Sequence, residues 1–316
     1  MNEQERDVRT KFWFDLVSLD KQYHLGTINL VATDLAYFAG IFDTEVHFTI
    51  APLHSIQMTY NKHNNDLLKL MSSSFGGKIY KEKPRLERKS DIWVWSVGSD
   101  QAYKILKRIS PFLRIKREQA GLCTECYEKC AEPGLTEADK ARIGEQYRKL
   151  LRDRETKPEQ RFDYFGLPHL KLAYLAGVFD VDSSFVITRR TEPGRNSYIL
   201  EVIKRKNDYE IMVFIRGIFG GKIHAATKSR LNKQDIWEIK YTSQNAYKVL
   251  QQIYPFLKAQ KRIAEICMAF QEKYYRGGTT IEISPTRKAV GEKYASLLHA
   301  HHLKWRSRYG KQIKIL

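Results

Sequence analysis

The feature that most restricts how this chain can fold is a long internal duplication. FGGKIYKEK, beginning at Phe75, returns as FGGKIHAAT beginning at Phe219. DIWVWSV, from Asp91, returns as DIWEIKY from Asp235, and SDQAYKILKRISPFL, from Ser99, returns as SQNAYKVLQQIYPFL from Ser243. From Gln57 onwards the copies stay 144 residues apart. Upstream, the run Phe38-Ala39-Gly40-Ile41-Phe42-Asp43-Thr44-Glu45 returns as Leu175-Ala176-Gly177-Val178-Phe179-Asp180-Val181-Asp182, 137 residues on. The seven-residue difference falls around TEPGRNS, which predicts a longer first hairpin in the second copy. A repeat this extended means one folding unit used twice.

Each copy begins with an apolar helical run, passes into two alternating segments, and then shows a helical segment. A Gly-Gly turn, two further strands and an amphipathic helix stopped by proline follow. The order αββαββα makes an α+β unit. The expected layout is an N-terminal extension over 1–33, a first unit over 34–151, a linker over 152–168, a second unit over 169–300 and a basic C-terminal tail over 301–316. Asp34 reads as the N-cap of the first helix. In the extension, WFDLVSL reads as a short amphipathic piece. A charged helix is expected from Thr136 to about Arg154.

The small pairs Ala39-Gly40 and Ala176-Gly177 let helix backbones approach closely, so the two runs are expected to pack on each other there. Side by side, Glu45 and Asp182 would finish at the same end. A carboxylate at a helix C-terminus opposes the helix dipole. Its repetition suggests a trap for a divalent cation, which hard oxygen ligands suit. Asp43 and Asp180, two residues earlier, are expected to bond backbone instead.

Net charge is +18, from 54 Lys and Arg against 36 Asp and Glu, and aromatic residues make up 12%. That excess favours a polyanionic partner over a neutral metabolite. No apolar run approaches the ~20 residues of a membrane span, and the opening residues do not read as a signal peptide. Cys123, Cys126 and Cys130 share one helical face, and their counterparts in the second copy are Cys267, Phe270 and Tyr274. That substitution pattern points to a buried stripe rather than a zinc site, and to reduced thiols in an intracellular setting.

Apolar parity puts Val46, Phe48 and Ile50 inside and His47 and Thr49 outside. The same logic exposes Ser55, Gln57, Thr59 and Asn61, then Lys78 and Tyr80, with Lys81 and Lys83 beside them. In the second copy it exposes Ser184, Thr188, Arg190, Glu201 and Arg205, and beyond the turn Lys222, His224, Glu238 and Lys240. Amides, hydroxyls and cations in such rows suit base edges and phosphates. Val186 and Ile199, also outward, suit thymine methyls.

The paired runs resemble the LAGLIDADG motif of homing endonucleases, and two copies resemble that family's single-chain form. The resemblance covers about residues 34–275. It implies two pseudo-symmetric αββαββα units forming a saddle-shaped antiparallel sheet surface over DNA. It further implies a monomer that cuts a long, pseudo-palindromic duplex site across the minor groove. The expected cofactor is Mg²⁺, or another divalent cation such as Mn²⁺ or Ca²⁺. Glu45 and Asp182 match the family's catalytic metal-binding acids. Lys116, after Pro-Phe-Leu, matches a lysine beside the attacking water, and Gln260 takes its place in the second copy. Glu45 stands where Asp is commoner, and Val46 and Ser183 stand where Gly is usual, so the two cutting centres are expected to differ. Members are commonly intron- or intein-encoded, and with no splicing-domain sequence in view a free-standing or intron-encoded enzyme is expected here, inside a mitochondrion, a chloroplast or the bacterial cytoplasm. A maturase that binds intron RNA and a DNA-binding module that no longer cleaves are the alternatives.

Overall fold

The structure is a computed structural model that describes residues 31–50, 56–62, 65–82, 92–155, 167–192, 195–228, 235–275 and 285–309. WFDLVSL, Ser55 and Lys83 lie outside the described residues. The chain packs as two compact units, Met1–Tyr174 and Leu175–Leu316. The fold is α+β, with two small antiparallel sheets.

The first unit runs α1 (Ala32–Glu45), β1 (His47–Ile50), β2 (Ile56–Lys62), α2 (Asn65–Phe75), β3 (Lys78–Glu82), β4 (Ile92–Val97) and α3 (Ser99–Ile109). A 3₁₀ turn at Ser110–Phe112, α4 (Arg117–Cys130) and α5 (Glu137–Glu155) follow. The second repeats this after α6 (Pro168–Asp182), whose length spans the division between the units. Its elements are β5 (Ser183–Glu192), β6 (Arg195–Lys206), α7 (Tyr209–Phe219), β7 (Ile223–Lys228), β8 (Asp235–Thr242) and α8 (Ser243–Ile253). A 3₁₀ turn at Tyr254–Phe256, α9 (Lys261–Tyr275) and α10 (Pro285–Tyr309) complete it. The sheet orders are β1-β2-β4-β3 and β5-β6-β8-β7, so each central pair is flanked by a hairpin partner. The longer second hairpin is present, with strands of 10 and 12 residues against 4 and 7.

Two boundaries differ from the sequence expectation. Helix α1 starts at Ala32 with Val31 as its N-cap, so Asp34 sits inside the first turn. An acid there still meets the positive end of the helix dipole. Helix α10 runs through residue 300 to Tyr309, so the first part of the basic tail continues a helix. The charged helix behaves as expected at its start. Thr136 Oγ1 accepts from the Asp139 amide (3.1 Å), and Asp139 Oδ2 accepts back from the Thr136 amide (3.2 Å).

Each core grows from its motif helix. Phe38 and Phe42 pack against Phe75 with ring centroids 4.6 and 5.8 Å apart, and Phe42 also meets Trp95. Phe179 meets Phe185 and Phe219 in the second unit, at 6.4 and 6.2 Å. Each fully buried ring contributes roughly 1.5–3 kcal/mol. The Gly-Gly turns need their glycines, with φ of +70° and +86° at Gly76 and Gly77, and +69° and +95° at Gly220 and Gly221. Trp95 Nε1 donates to the Gly76 carbonyl (2.7 Å), whereas Tyr241 Oη serves the Gly220 carbonyl (2.9 Å) from a strand position two residues further on. The cysteine stripe is buried, as are its counterparts in the second copy, Cys267, Phe270 and Tyr274.

Candidate active site

The two acids of each motif divide their labour by burial. Asp43 is 3% exposed and accepts the amides of Arg114 (2.7 Å), Ile115 (3.2 Å) and Lys116 (2.8 Å). Tyr174, the last residue of the first unit, adds a hydroxyl donor to the same carboxylate (2.8 Å). Burial pushes the Asp43 carboxyl up, while the Arg114 and Lys116 amides, the Tyr174 hydroxyl and the Lys116 ammonium pull it back. Asp180 is 4% exposed and accepts the amides of Lys258 (2.7 Å), Ala259 (2.9 Å) and Gln260 (2.8 Å). Both bond backbone, as expected, and the backbone they hold is the loop that follows the Pro-Phe-Leu stop. Glu45 and Asp182, one turn-fraction further along, end their helices, half-buried and 37% exposed respectively.

The clamped loop aims a side chain back at each helix end. Lys116 Nζ donates to the carbonyls of Phe42 (3.1 Å) and Val46 (2.8 Å), which flank Glu45. Gln260 Nε2 donates to Phe179 (2.9 Å) and Ser183 (3.3 Å), the matching carbonyls around Asp182. Lys116 adds a second donor to the Phe42 carbonyl, which already accepts the Val46 amide (3.3 Å), and each side chain ties the last helical turn to the residue just beyond it. The sequence pairing of Lys116 with Gln260 thus holds in space, as a shared capping geometry.

Sequence reasoning missed two further cations. Lys204 is fully buried on the inward face of β6, and its Nζ donates to the Val178 carbonyl (2.7 Å). Lys206, two residues on, stands 3.9 Å from Asp182 Oδ2. The available signal was a lysine at an inward-parity position. An acid opposing the dipole already has protein cations nearby, Lys116 in the first unit and Lys204 and Lys206 in the second, so the acids alone do not demand a metal.

On the first sheet His47 and Thr49 are exposed while Phe48 and Ile50 are buried. Thr59 and Gln57 pair with them in register, and Asn61 pairs with Val94. Lys78 and Tyr80 are exposed and pair with Ser96 and Val94. Lys81 is exposed too, but its register with Trp93 puts it on the opposite face, beside Ile79. On the second sheet Ser184, Arg190, Arg205, Lys222, His224 and Lys240 are exposed, and Thr188 and Glu238 are partly so. Glu201 corrects the parity reading. It occupies the outward face yet is only 5% exposed. Side chains from both neighbouring strands converge over it: Thr188 Oγ1 donates to Oε2 (3.0 Å), and Lys240 Nζ lies 2.7 Å and Arg190 Nη2 3.9 Å from Oε1. A second ion pair, Arg205 with Glu238 at 2.5 Å, bridges the same two central strands. Ala39, Gly40, Ala176 and Gly177 are all buried in their helices.

This architecture is found in solved proteins. The chain matches the LAGLIDADG homing endonuclease I-GzeII, in complex with its DNA target, at TM-score 0.56 and 14% identity, over 83% of this chain and 97% of that one. I-SmaMI, bound to an uncleaved DNA target with calcium ions, matches at TM-score 0.52 and 15% identity, over 84% and 98%. I-LtrWI, bound to target DNA, matches at TM-score 0.51 and 14% identity, over 83% and 96%. At the level of sequence, no protein-family model and no curated protein matches this chain. The fold is that of the LAGLIDADG homing endonucleases, in the form that carries two units in a single chain.

Proposed function

We propose that this protein is a site-specific endonuclease that binds a long, pseudo-palindromic duplex DNA site as a monomer and hydrolyses both strands across the minor groove. One observation carries the reading. In each unit a backbone-clamping acid is followed, two residues on, by an acid at the helix end, next to the first strand of a polar, cation-bearing sheet face. The DNA complexes of proteins with this fold support the same partner, and +18 suits it.

The donor set suits Mg²⁺. Glu45 and Asp182 offer hard carboxylate oxygens, and no cluster of three His, Cys, Asp or Glu that could hold an ion occurs among the described residues. An ion that keeps waters and takes phosphate oxygens needs only such sparse protein ligation. When bound, it would supply charge stabilisation at the phosphate and an activated water. The chain's own residues do the rest. Asp43 and Asp180 hold the loops, Lys116 and Gln260 cap the helix ends, and the sheets position DNA.

The test is selection of cleaved molecules from a randomised duplex library with Mg²⁺, repeated with Mn²⁺ and with Ca²⁺. Cleaved products should share a long motif, and Asp182→Asn should abolish cutting of at least one strand while binding persists. Parental cutting of both strands by Asp182→Asn would refute the assignment. Preference for structured intron RNA over duplex DNA would make the protein a maturase, and binding without cutting would make it a recognition module.

A further inference from the structure

We propose that Glu201 sets the hydrogen-bond polarity of a base-reading patch on the second sheet, and so determines specificity in one half of the target. The inference rests on the DNA-binding reading above. A carboxylate only accepts hydrogen bonds. Thr188 therefore commits its single hydroxyl proton to Glu201 Oε2 (3.0 Å) and turns lone pairs towards any partner above the sheet. In the major groove that partner is a base carrying an exocyclic amino group, adenine or cytosine. Lys240, held at Oε1 (2.7 Å), remains a donor, suited to the O6 and N7 acceptors of a neighbouring guanine.

The surroundings strengthen the effect. Val186 lies directly across from Glu201 in the ladder and is half-buried, and Ile199 and Ile203, also half-buried, flank Glu201 on the same face. Around a buried carboxylate these apolar groups keep water away, so charge-assisted bonds hold the lysine in place before DNA arrives. Ordering of a long side chain is then already complete when binding begins. The first unit carries different residue types at the matching positions. Gln57 and Ser96 occupy the positions matching Glu201 and Lys240, and Asn61 and Val94 those matching Arg205 and Glu238. At these matched positions the two halves of the target therefore meet different chemistry, two carboxylates paired with two cations in the second unit and Gln57, Ser96, Asn61 and Val94 in the first.

Glu201→Gln separates this role from simple packing. The amide oxygen stays with Lys240, because the ammonium repels an NH₂ group. The amide nitrogen then faces Thr188 and donates to it, which frees the hydroxyl proton to point outward. The patch changes from accepting to donating. The full-length protein and its Glu201→Gln and Thr188→Val variants would be used to select bound molecules from a randomised duplex library in Ca²⁺. The parent should prefer adenine or cytosine at one position. Glu201→Gln should shift that position towards guanine or thymine by roughly five- to tenfold, the worth of one hydrogen bond, and leave the other half-site unchanged. Thr188→Val should lose the preference without reversing it. Unchanged preferences in a folded Glu201→Gln, or an even loss across both halves, would overturn the proposal. If Glu201→Gln does not fold, Thr188→Val decides alone, and an unchanged profile overturns it. A parent that enriches no sequence at all would instead defeat the DNA-binding reading, and this proposal with it.

Discussion

Asp180 and Asp182 lie two residues apart, and the same change to asparagine should act on different properties at each. The buried Asp180 carboxylate takes two amides on Oδ2, from Lys258 and Ala259, and one on Oδ1, from Gln260. In Asp180→Asn the amide oxygen can serve the two-donor side, but the nitrogen then confronts the Gln260 N–H. One buried donor loses its partner, at about 1–3 kcal/mol, and two charge-assisted bonds become neutral, at about 1 kcal/mol each. The total is about 3–5 kcal/mol, comparable with breaking a buried ionic contact. Asp182 is 37% exposed, with Lys206 3.9 Å away. Removing its charge loses a weak ion pair but also relieves an unfavourable helix dipole, two terms of less than about 1 kcal/mol that oppose each other. Urea unfolding followed by far-ultraviolet circular dichroism measures both variants, and a two-strand cleavage assay completes the comparison. Asp180→Asn should unfold at markedly lower urea. Asp182→Asn should unfold like the parent and fail to cut at least one strand. An Asp180→Asn variant within about 1 kcal/mol of the parent would refute the clamp, and an Asp182→Asn variant as unstable as Asp180→Asn would make Asp182 a structural residue.

Lys116→Gln installs the side chain that the second unit uses at the same two carbonyls, so the fold should survive with at most about 1 kcal/mol of loss. If Lys116 also serves the chemistry, gels with each strand labelled separately should show one strand slowed, and equal, unchanged rates would leave it a cap alone. Duplex affinity should fall by roughly 10³–10⁵ between 50 and 200 mM salt if about 6–10 phosphates are contacted, as fluorescence anisotropy would show. Burial pushes the Cys123 and Cys267 thiols up to about 12, so at pH 8 they should resist alkylation in the native protein and react in urea, with mass spectrometry as the readout. Above the unfolded value of 9.0 the unfolded chain releases these protons while the folded chain keeps them. Stability should therefore fall as pH rises from 9.0 towards about 12, as urea midpoints would record.

The duplication, the order αββαββα, the longer second hairpin and the inward or outward facing of strand residues were legible from spacing and parity, and Asp43 and Asp180 were legible only as acids that bond backbone. Such properties depend on neighbours within a few residues, because a helix repeats every 3.6 residues and a strand every two. The longer-range contacts were not legible. Lys116 reaches Phe42 and Val46 across 74 and 70 positions of sequence, and Asp43 holds its backbone amide across 73. Parity correctly assigned Glu201 to the outward face, yet its burial came from Thr188, Lys240 and Arg190, which converge only when three strands pair in one register. Lys204 shows the reverse case: a residue type expected in water sits in the core, where its ammonium donates a hydrogen bond to the Val178 carbonyl in the last part of the motif helix. Local pattern decides which way a side chain faces, and the tertiary fold decides what it meets. Solvation and pairing are properties of the meeting.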